Sequence, residues 1–429
     1  MTTITRRGFL AGATALATTG LGTPSLAATP AAIRIGTVFP NRTGGSFIRA
    51  SVNDFIGSAG RIGALLADAQ IGRSVEAEGS RLDILLASSP TPEAAVRAGE
   101  RLVETGDICA LVGGIGEGQA EVLAEIAARA KIPFFNVGET SDAFRREAFS
   151  PYLFHIEASD AMYIDAMGQL AAQLGYTRWA VVSDTSARGE AMADRAALAA
   201  EKSGCTIAGT ILLRPAFPVY FTEIDELATI EADVIFVLVN YQDQFPFTVQ
   251  MEESGIQTPV LFFPYTITQT RDFIAASRNR LPILNPRHRV ALWDTTDTRP
   301  GAEEFNLQVR ARYAEPADPT AWSAFHAIKI ITDTVLATGS TDAEAMIAHL
   351  EDPQTSFDVA KGVGVSFRPW DHQLRQPLAT LEVDEDIVWR QLELSSRIDI
   401  ARYTGSLPAG EPGPDAAEWL DSLGDGPQT

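Results

Sequence analysis

The residues with the clearest capacity for chemistry sit in a glycine-rich turn, Gly113-Gly114-Ile115-Gly116-Glu117-Gly118, and at the polar ends of several apolar runs. The turn follows an apolar stretch and opens an amphipathic one. Free backbone N–H groups at Gly114, Gly116 and Gly118, together with the positive end of the helix, make such a turn an anion or dipole site. Glu117 puts a carboxylate there, either for a ligand or as a first-turn helix residue stabilised by the helix dipole. Thr140, after Gly138 and Glu139, offers a hydroxyl to a ligand or caps the stretch Ser141-Asp142-Ala143-Phe144. Arg188, within Asp184-Thr185-Ser186-Ala187-Arg188-Gly189-Glu190, carries a planar fork suited to bidentate recognition of a carboxylate or similar anion; pairing with Glu190 at the surface is the plainer role. Asn240 and Tyr241 end another apolar run, and Tyr265 ends Phe262-Phe263-Pro264-Tyr265, a stretch without an acid. A tyrosine there gives a ring face and a hydroxyl, for a ligand or for packing.

Other chemistries find less support. No Gly-x-Ser-x-Gly turn or His-Glu-x-x-His pair occurs, and His155, His288, His326, His349 and His372 lack ligand-like spacing, so no catalytic residue and no metal site is expected. His326 reads as a helix residue beside a core. The Gly114-Ile115-Gly116 part of a dinucleotide fingerprint has Gln119 where the third glycine belongs, although Glu139 lies at a suitable distance for a ribose contact. That fingerprint also belongs on the first strand of its domain, and two β/α units precede it here. An exported dinucleotide-dependent oxidoreductase is therefore the alternative, and the chain is expected to be neither an enzyme nor a holder of a cofactor.

The elements that must position these groups alternate. Short β-branched apolar runs at Ile33–Phe39, Leu82–Ala87, Ile108–Val112, Pro133–Val137, Trp179–Ser183, Val234–Val239 and Val260–Phe263 predict strands. Amphipathic stretches between them predict helices, such as Pro92–Glu104, Gln119–Ala130, Ala161–Leu174, Glu190–Lys202 and Gln244–Ser254. Alternation at this spacing predicts an α/β protein with parallel sheets covered on both faces, and ligands then sit beyond the carboxyl ends of the strands. One β/α set runs to about Ser150 and a second from Tyr152 to about Pro264, punctuated by Pro151.

With 55 acidic against 34 basic residues the net charge is -21, a field that repels nucleic acid and anionic membranes. After residue 28 no apolar run is long enough to span a bilayer. Residues 1–28, with Thr5-Arg6-Arg7-Gly8-Phe9-Leu10, a weakly apolar run and Ser25-Leu26-Ala27, resemble a twin-arginine export signal without a lipidation cysteine. Cys109 and Cys205 fall in different halves and are expected to stay unpaired. Residues 396–429 are expected to form a solvated acidic tail: from Gly405 onward the chain has five acids and no Lys or Arg.

A set of short motifs recurs in order: Ile35-Gly36-Thr37-Val38-Phe39-Pro40, Ala110-Leu111-Val112-Gly113-Gly114, Lys131-Ile132-Pro133, Thr140-Ser141-Asp142, Gly189-Glu190, Gly255 to Pro259, Asp371-His372-Gln373 and Gln376-Pro377. This set resembles the type I periplasmic solute-binding family of leucine/isoleucine/valine-binding proteins and amide-binding relatives, over about Ile33 to Val388. The resemblance implies two doubly wound parallel-sheet lobes joined by three crossovers near 151–157, 265–268 and 358–364. The first lobe would comprise 29–150 and 269–357, the second 151–268 and 358–395. It also implies a monomeric substrate-binding component of an ABC importer of the branched-chain amino acid and amide class. In the periplasm it would close by a hinge on an amino acid or related carboxylate or amide and deliver it to a membrane permease; a ligand-sensing module is the other use of the same motion. By the same resemblance, Thr140 donates its backbone N–H and hydroxyl to the ligand, the turn at Glu117 replaces a serine, Arg188 replaces a tyrosine, and Tyr241 packs on the ligand. The acid that holds an α-ammonium in relatives is missing near Tyr265. The loop Asn41-Arg42-Thr43-Gly44-Gly45-Ser46 departs from the family's short form, with Thr43, Ser46 or Arg49 within reach of the cleft.

Overall fold

A computed structural model describes residues 30–40, 52–270, 287–314, 316–383, 401–410, 412 and 416–427. The expected leader at 1–28 and the loop carrying Thr43, Ser46 and Arg49 lie outside them.

The chain opens with β1 (Ile33–Phe39), α1 (Val52–Ala77), β2 (Leu82–Ser88), α2 (Pro92–Gly106), β3 (Ala110–Gly113), α3 (Gln119–Ala130), β4 (Phe134–Asn136) and β5 (Leu153–His155). These strands form one parallel sheet in the order β2-β1-β3-β4-β5. The strands β3, β4 and β5 are buried throughout, as a sheet covered on both faces requires. Local signals set the helix ends. Thr91 accepts a hydrogen bond from the Ala94 N–H ahead of Pro92, so α2 starts there.

A second set follows: α4 (Asp160–Gln173), β6 (Arg178–Asp184), α5 (Ala187–Lys202), β7 (Thr206–Leu213), α6 (Phe221–Leu227), β8 (Val234–Val237), α7 (Tyr241–Glu253) and β9 (Val260–Phe262). Its parallel sheet runs β7-β6-β8-β9. Each lobe thus has its own sheet and its own buried layers, and the expected α/β architecture of two doubly wound lobes is present.

The remainder completes both. After β10 (His288–Ala291) come α8 (Ala302–Tyr313), α9 (Pro319–Thr338), α10 (Ala343–Glu351), β11 (Phe357–Asp358), β12 (Gly364–Val365), β13 (Leu378–Val383), β14 (Ala401–Leu407) and α11 (Ala416–Leu420). The long apolar α9 packs along α1, so closely at Gly63 that an added Cβ would lie 2.2 Å from the Ala321 carbonyl oxygen. Within 269–357, β10 pairs antiparallel with β13 and touches β9 and α4, on the side of the second sheet. Two residues later Trp293 stacks on Trp322 of α9, against the first lobe.

The Asp371-His372-Gln373 motif adds a strand segment beside β5: His155 N–H donates to the His372 carbonyl at 3.0 Å and Leu374 N–H to the His155 carbonyl at 2.9 Å. The side chains of Gln373 and Gln376 then donate to the Glu157 and Ile156 carbonyls, at 3.0 and 2.6 Å. These motif residues therefore fasten the chain where it leaves β5. Cys109 and Cys205 are buried and free, as expected.

The expectation of a solvated C-terminal tail is corrected. Strand β14 pairs with β13, and residues 416–427 lie against arginines of both lobes. Two of the acids that read as solvated, Asp421 and Asp425, meet arginines from distant parts of the chain, which composition of the tail alone does not show.

Candidate functional site

The loops beyond the carboxyl ends of β3, β4, β6, β8 and β9 meet around a cavity of about 240 Å³. Its wall includes Ile115, Gly116, Glu117 and Gly118 after β3, and Gly138, Glu139 and Thr140 after β4. The other lobe contributes Arg188 after β6, Asn240 and Tyr241 after β8, and Tyr265 after β9.

Backbone conformation shapes the first wall. Gly114, at φ +88°, turns the chain out of β3 in a conformation that L side chains rarely adopt; a Cβ there would stand 2.8 Å from the Asn136 side-chain oxygen. Asn136 ends β4 and folds the next loop around itself. Its oxygen accepts from the N–H of Gly138 at 3.1 Å and of Glu139 at 2.9 Å, and its amide donates to the Glu139 carbonyl at 2.7 Å. That amide also meets Nδ1 of His155 at 3.0 Å, and burial beside Arg145 keeps this imidazole well below its ordinary pKa, so Nδ1 accepts. Thr140 is thereby delivered to the cavity.

Arg188 spans the gap. Ser186 caps α5 by accepting from the Gly189 N–H at 3.0 Å, which sets Arg188 on the first turn. The guanidinium donates from Nε and Nη2 to the two oxygens of Asp160 at 2.9 and 2.8 Å, and from Nη2 to the Thr140 hydroxyl at 2.6 Å. Nη1 lies 3.4 Å from Glu139, and the group sits over the Tyr265 ring, 5.6 Å from its centroid. Burial opposes its charge, but Asp160, Tyr265 and Glu139 together hold its pKa above the ordinary arginine value. The planar fork that suits a carboxylate ligand is thus already filled by Asp160.

Exposed Glu117 and, one helical turn on, Glu121 complete the polar rim. The Glu121 carboxyl is pushed up, first by partial burial and then by Glu139 and Glu117 nearby. Tyr241 and Tyr265 stand edge to face with ring centroids 6.3 Å apart, and burial pushes the Tyr265 hydroxyl above the ordinary phenol pKa. The Asn240 side chain, which could have faced the cavity, instead caps α7 by accepting from the Gln242 N–H.

A family profile described as periplasmic binding protein matches residues 33–386, most of the chain. The chain belongs to that family. Solved structures share the fold of this periplasmic binding protein at low identity. The branched-chain amino acid ABC transporter periplasmic ligand-binding protein of Burkholderia xenovorans LB400 superposes with a TM-score of 0.73 at 14% identity, over 90% of this chain and 96% of that one. The amino acid ABC transporter substrate-binding protein of Pseudomonas fluorescens Pf-5 gives 0.71 at 18%, over 91% and 99%. An R. palustris solute-binding protein in complex with 4-hydroxybenzoate gives 0.68 at 15%, over 88% and 97%. No curated protein matches the chain.

Of the candidate residues named from the sequence of this periplasmic binding protein, Gly116, Glu117, Gly118, Thr140, Arg188, Asn240, Tyr241 and Tyr265 line the one cavity, and Gly114 lies behind it against Asn136. Sequence reasoning missed Asp160 and Glu121 and gave Glu139 only a ribose-binding role. Asp160 follows the cap Ser159 and looks like an ordinary first-turn acid; its capture of Arg188 is long-range and leaves no local signal. Gln119, at the place of a third fingerprint glycine, clasps Ser89 through its side-chain oxygen and amide, both at 2.9 Å. Among the described residues no cluster of His, Cys, Asp or Glu could hold a metal ion, and no helix is long and apolar enough to cross a membrane.

Proposed function

We propose that this periplasmic binding protein is the substrate-binding component of an ABC importer and that its interlobe cleft takes a small polar organic ligand bearing a positively charged nitrogen. Its neighbours are described as transporter components, and the cavity lies where two sets of strand ends face each other, the place such sheets offer a ligand. A ligand touching both lobes favours their closure, and the closed form is the signal a permease reads. Export by a twin-arginine leader at 1–28, as an unanchored monomer, completes the reading.

One observation carries the ligand's charge. Among the described residues Arg188 is the only guanidinium or ammonium on the cavity wall, where Glu117, Glu121 and Glu139 also sit, and its own charge is met by Asp160. Among the described residues a free carboxylate entering this space meets excess negative charge and no unoccupied donor fork, whereas an ammonium or amidinium group finds acids and two tyrosine faces. This departs from the carboxylate that the sequence suggested for Arg188. The aromatic pair also leaves room for a flat or aliphatic body on the ligand.

The test is a thermal-shift and calorimetric panel of amines, guanidines, zwitterionic amino acids, amides and benzoates near neutral pH. A cationic compound should raise Tm, because a ligand bound only by the folded form stabilises it. Tight binding by simple carboxylates with no response to any cation overturns the ligand assignment. Ligand-dependent stimulation of ATP hydrolysis by a reconstituted permease tests the importer role.

A further inference from the structure

The C-terminal residues beyond the family match form contacts that the ligand cleft does not require. Strand β14 adds to β13 on the side of the second lobe, and residues 416–427 then run across to the first. At their centre is Asp425. One carboxylate oxygen accepts from Arg195 Nη1 at 2.7 Å, and the other from Arg146 Nε at 3.1 Å and from its Nη2. Arg195 belongs to α5 of the second lobe. Arg146 belongs to the connection between β4 and β5 of the first. A single carboxylate therefore joins the lobes.

The surrounding bonds seat this residue from both sides. On the second lobe, Arg195 donates from Nε to Asp165 at 2.8 Å and from Nη2 to the Gly424 carbonyl at 2.8 Å, while the Gly424 N–H donates to Asp165 at 3.0 Å. On the segment that extends the first sheet, Arg368 donates to the Asp425 carbonyl at 3.2 Å and Arg375 to the Asp421 carboxylate at 2.8 Å. Arg195 and Asp165 are nearly fully buried, so these are desolvated, charge-assisted bonds rather than a loose surface pair. The Arg146 end is the exposed one, with 41% of its side chain open to solvent.

The geometry of α5 couples this contact to the cleft. Arg188 and Arg195 are seven residues apart, close to two helical turns, and so project from the same face of one rigid element. Arg188 reaches Thr140 and Glu139 of the first lobe; Arg195 reaches Arg146 of that lobe through Asp425. Any rotation that lifts α5 away from the first lobe must stretch both connections together. The weakest point of the second connection is the exposed Arg146–Asp425 pair.

We propose that residues 416–427 are a strap across the hinge, and that Asp425, shared by Arg146 and Arg195, biases the lobes toward the closed arrangement. The proposal concerns the free protein and stands apart from the nature of the ligand.

Small-angle X-ray scattering of the full chain without ligand tests it. Asp425→Asn and Arg146→Ala should each shift the molecule to a larger radius of gyration, and Arg146→Lys should restore most of the compaction. Raising the salt to about 0.5 M should expand the wild type and leave Arg146→Ala unchanged, because the screened pair is already gone. Arg146→Ala removes only an exposed side chain, so it remains informative if Asp425→Asn fails to fold. A radius of gyration in Arg146→Ala equal to that of the wild type at low salt overturns the proposal, even if Tm falls, since the segment would then be a static staple.

Discussion

At the scale of single residues, the most constrained carboxylate is Glu157. It is fully buried where the chain leaves β5, accepts from the Tyr163 hydroxyl at 2.6 Å and the Ala158 N–H at 3.1 Å, and lies 3.3 Å from the Thr266 hydroxyl. Burial pushes its pKa to about 7, against the opposing pull of those hydrogen bonds and of Arg145 and Lys361. A carboxyl with a raised folded pKa binds its proton more tightly when folded. Its contribution to stability is thus complete below its ordinary value of 4.5 and fades as pH rises through about 7. Unfolding free energy should therefore fall with pH across that window, with about 3–4 kcal/mol attributable to this group. Asp142, raised to about 6 by burial and then by Asp160, contributes a slope of the same sign, so the difference between proteins is the informative quantity. Glu157→Gln, which keeps the shape and can still accept from Tyr163, should flatten the profile measured by urea unfolding between pH 5 and 8. An unchanged slope in that variant would show that Glu157 is ionised throughout.

At the scale of elements, the loop after β4 shows how one buried side chain shapes a wall of the cleft. Asn136 holds Gly138 and Glu139 by three hydrogen bonds to their backbones, and Thr140 follows directly. Removing that amide leaves desolvated N–H and C=O groups without partners, each costing about 1–3 kcal/mol. Asn136→Ala should accordingly lower unfolding free energy by about 2–4 kcal/mol in denaturant titrations and weaken ligand binding more than tenfold, because Thr140 loses its placement. Destabilisation with unaltered affinity would mean that Thr140 keeps its position by other means. The same loop shows what a sequence can disclose. Local patterns such as the apolar run to Gly113, the glycines that follow and the polar stretch after Ser183 placed Glu117, Thr140 and Arg188 at strand ends of two sheets, because short-range stereochemistry decides them. Partners set by tertiary contact were invisible: Asp160 for Arg188, and arginines 146 and 195 for Asp425 of the tail. The pairing of β10 with β13 is likewise a long-range event between segments that read as parts of different lobes.

At the scale of the whole molecule, charge and site point the same way. A chain with net charge -21 attracts cations from a distance, and the acids on the cleft wall carry the same sign. Long-range attraction acts on encounter, whereas contacts inside the cleft act on escape. The Debye length shrinks from about 30 Å at 0.01 M salt to about 8 Å at 0.15 M, so the outer field is largely screened at the higher value while contacts at van der Waals distance are much less affected. For a cationic ligand found in the panel, stopped-flow measurements should show an association rate that falls several-fold over that range and a dissociation rate that changes little. Glu117→Gln, at an exposed position on the rim, should lower the association rate and its salt dependence together. A rate that instead rises with salt would mean that the field opposes the ligand, and would assign the cleft to an anion for which Arg188 must exchange Asp160.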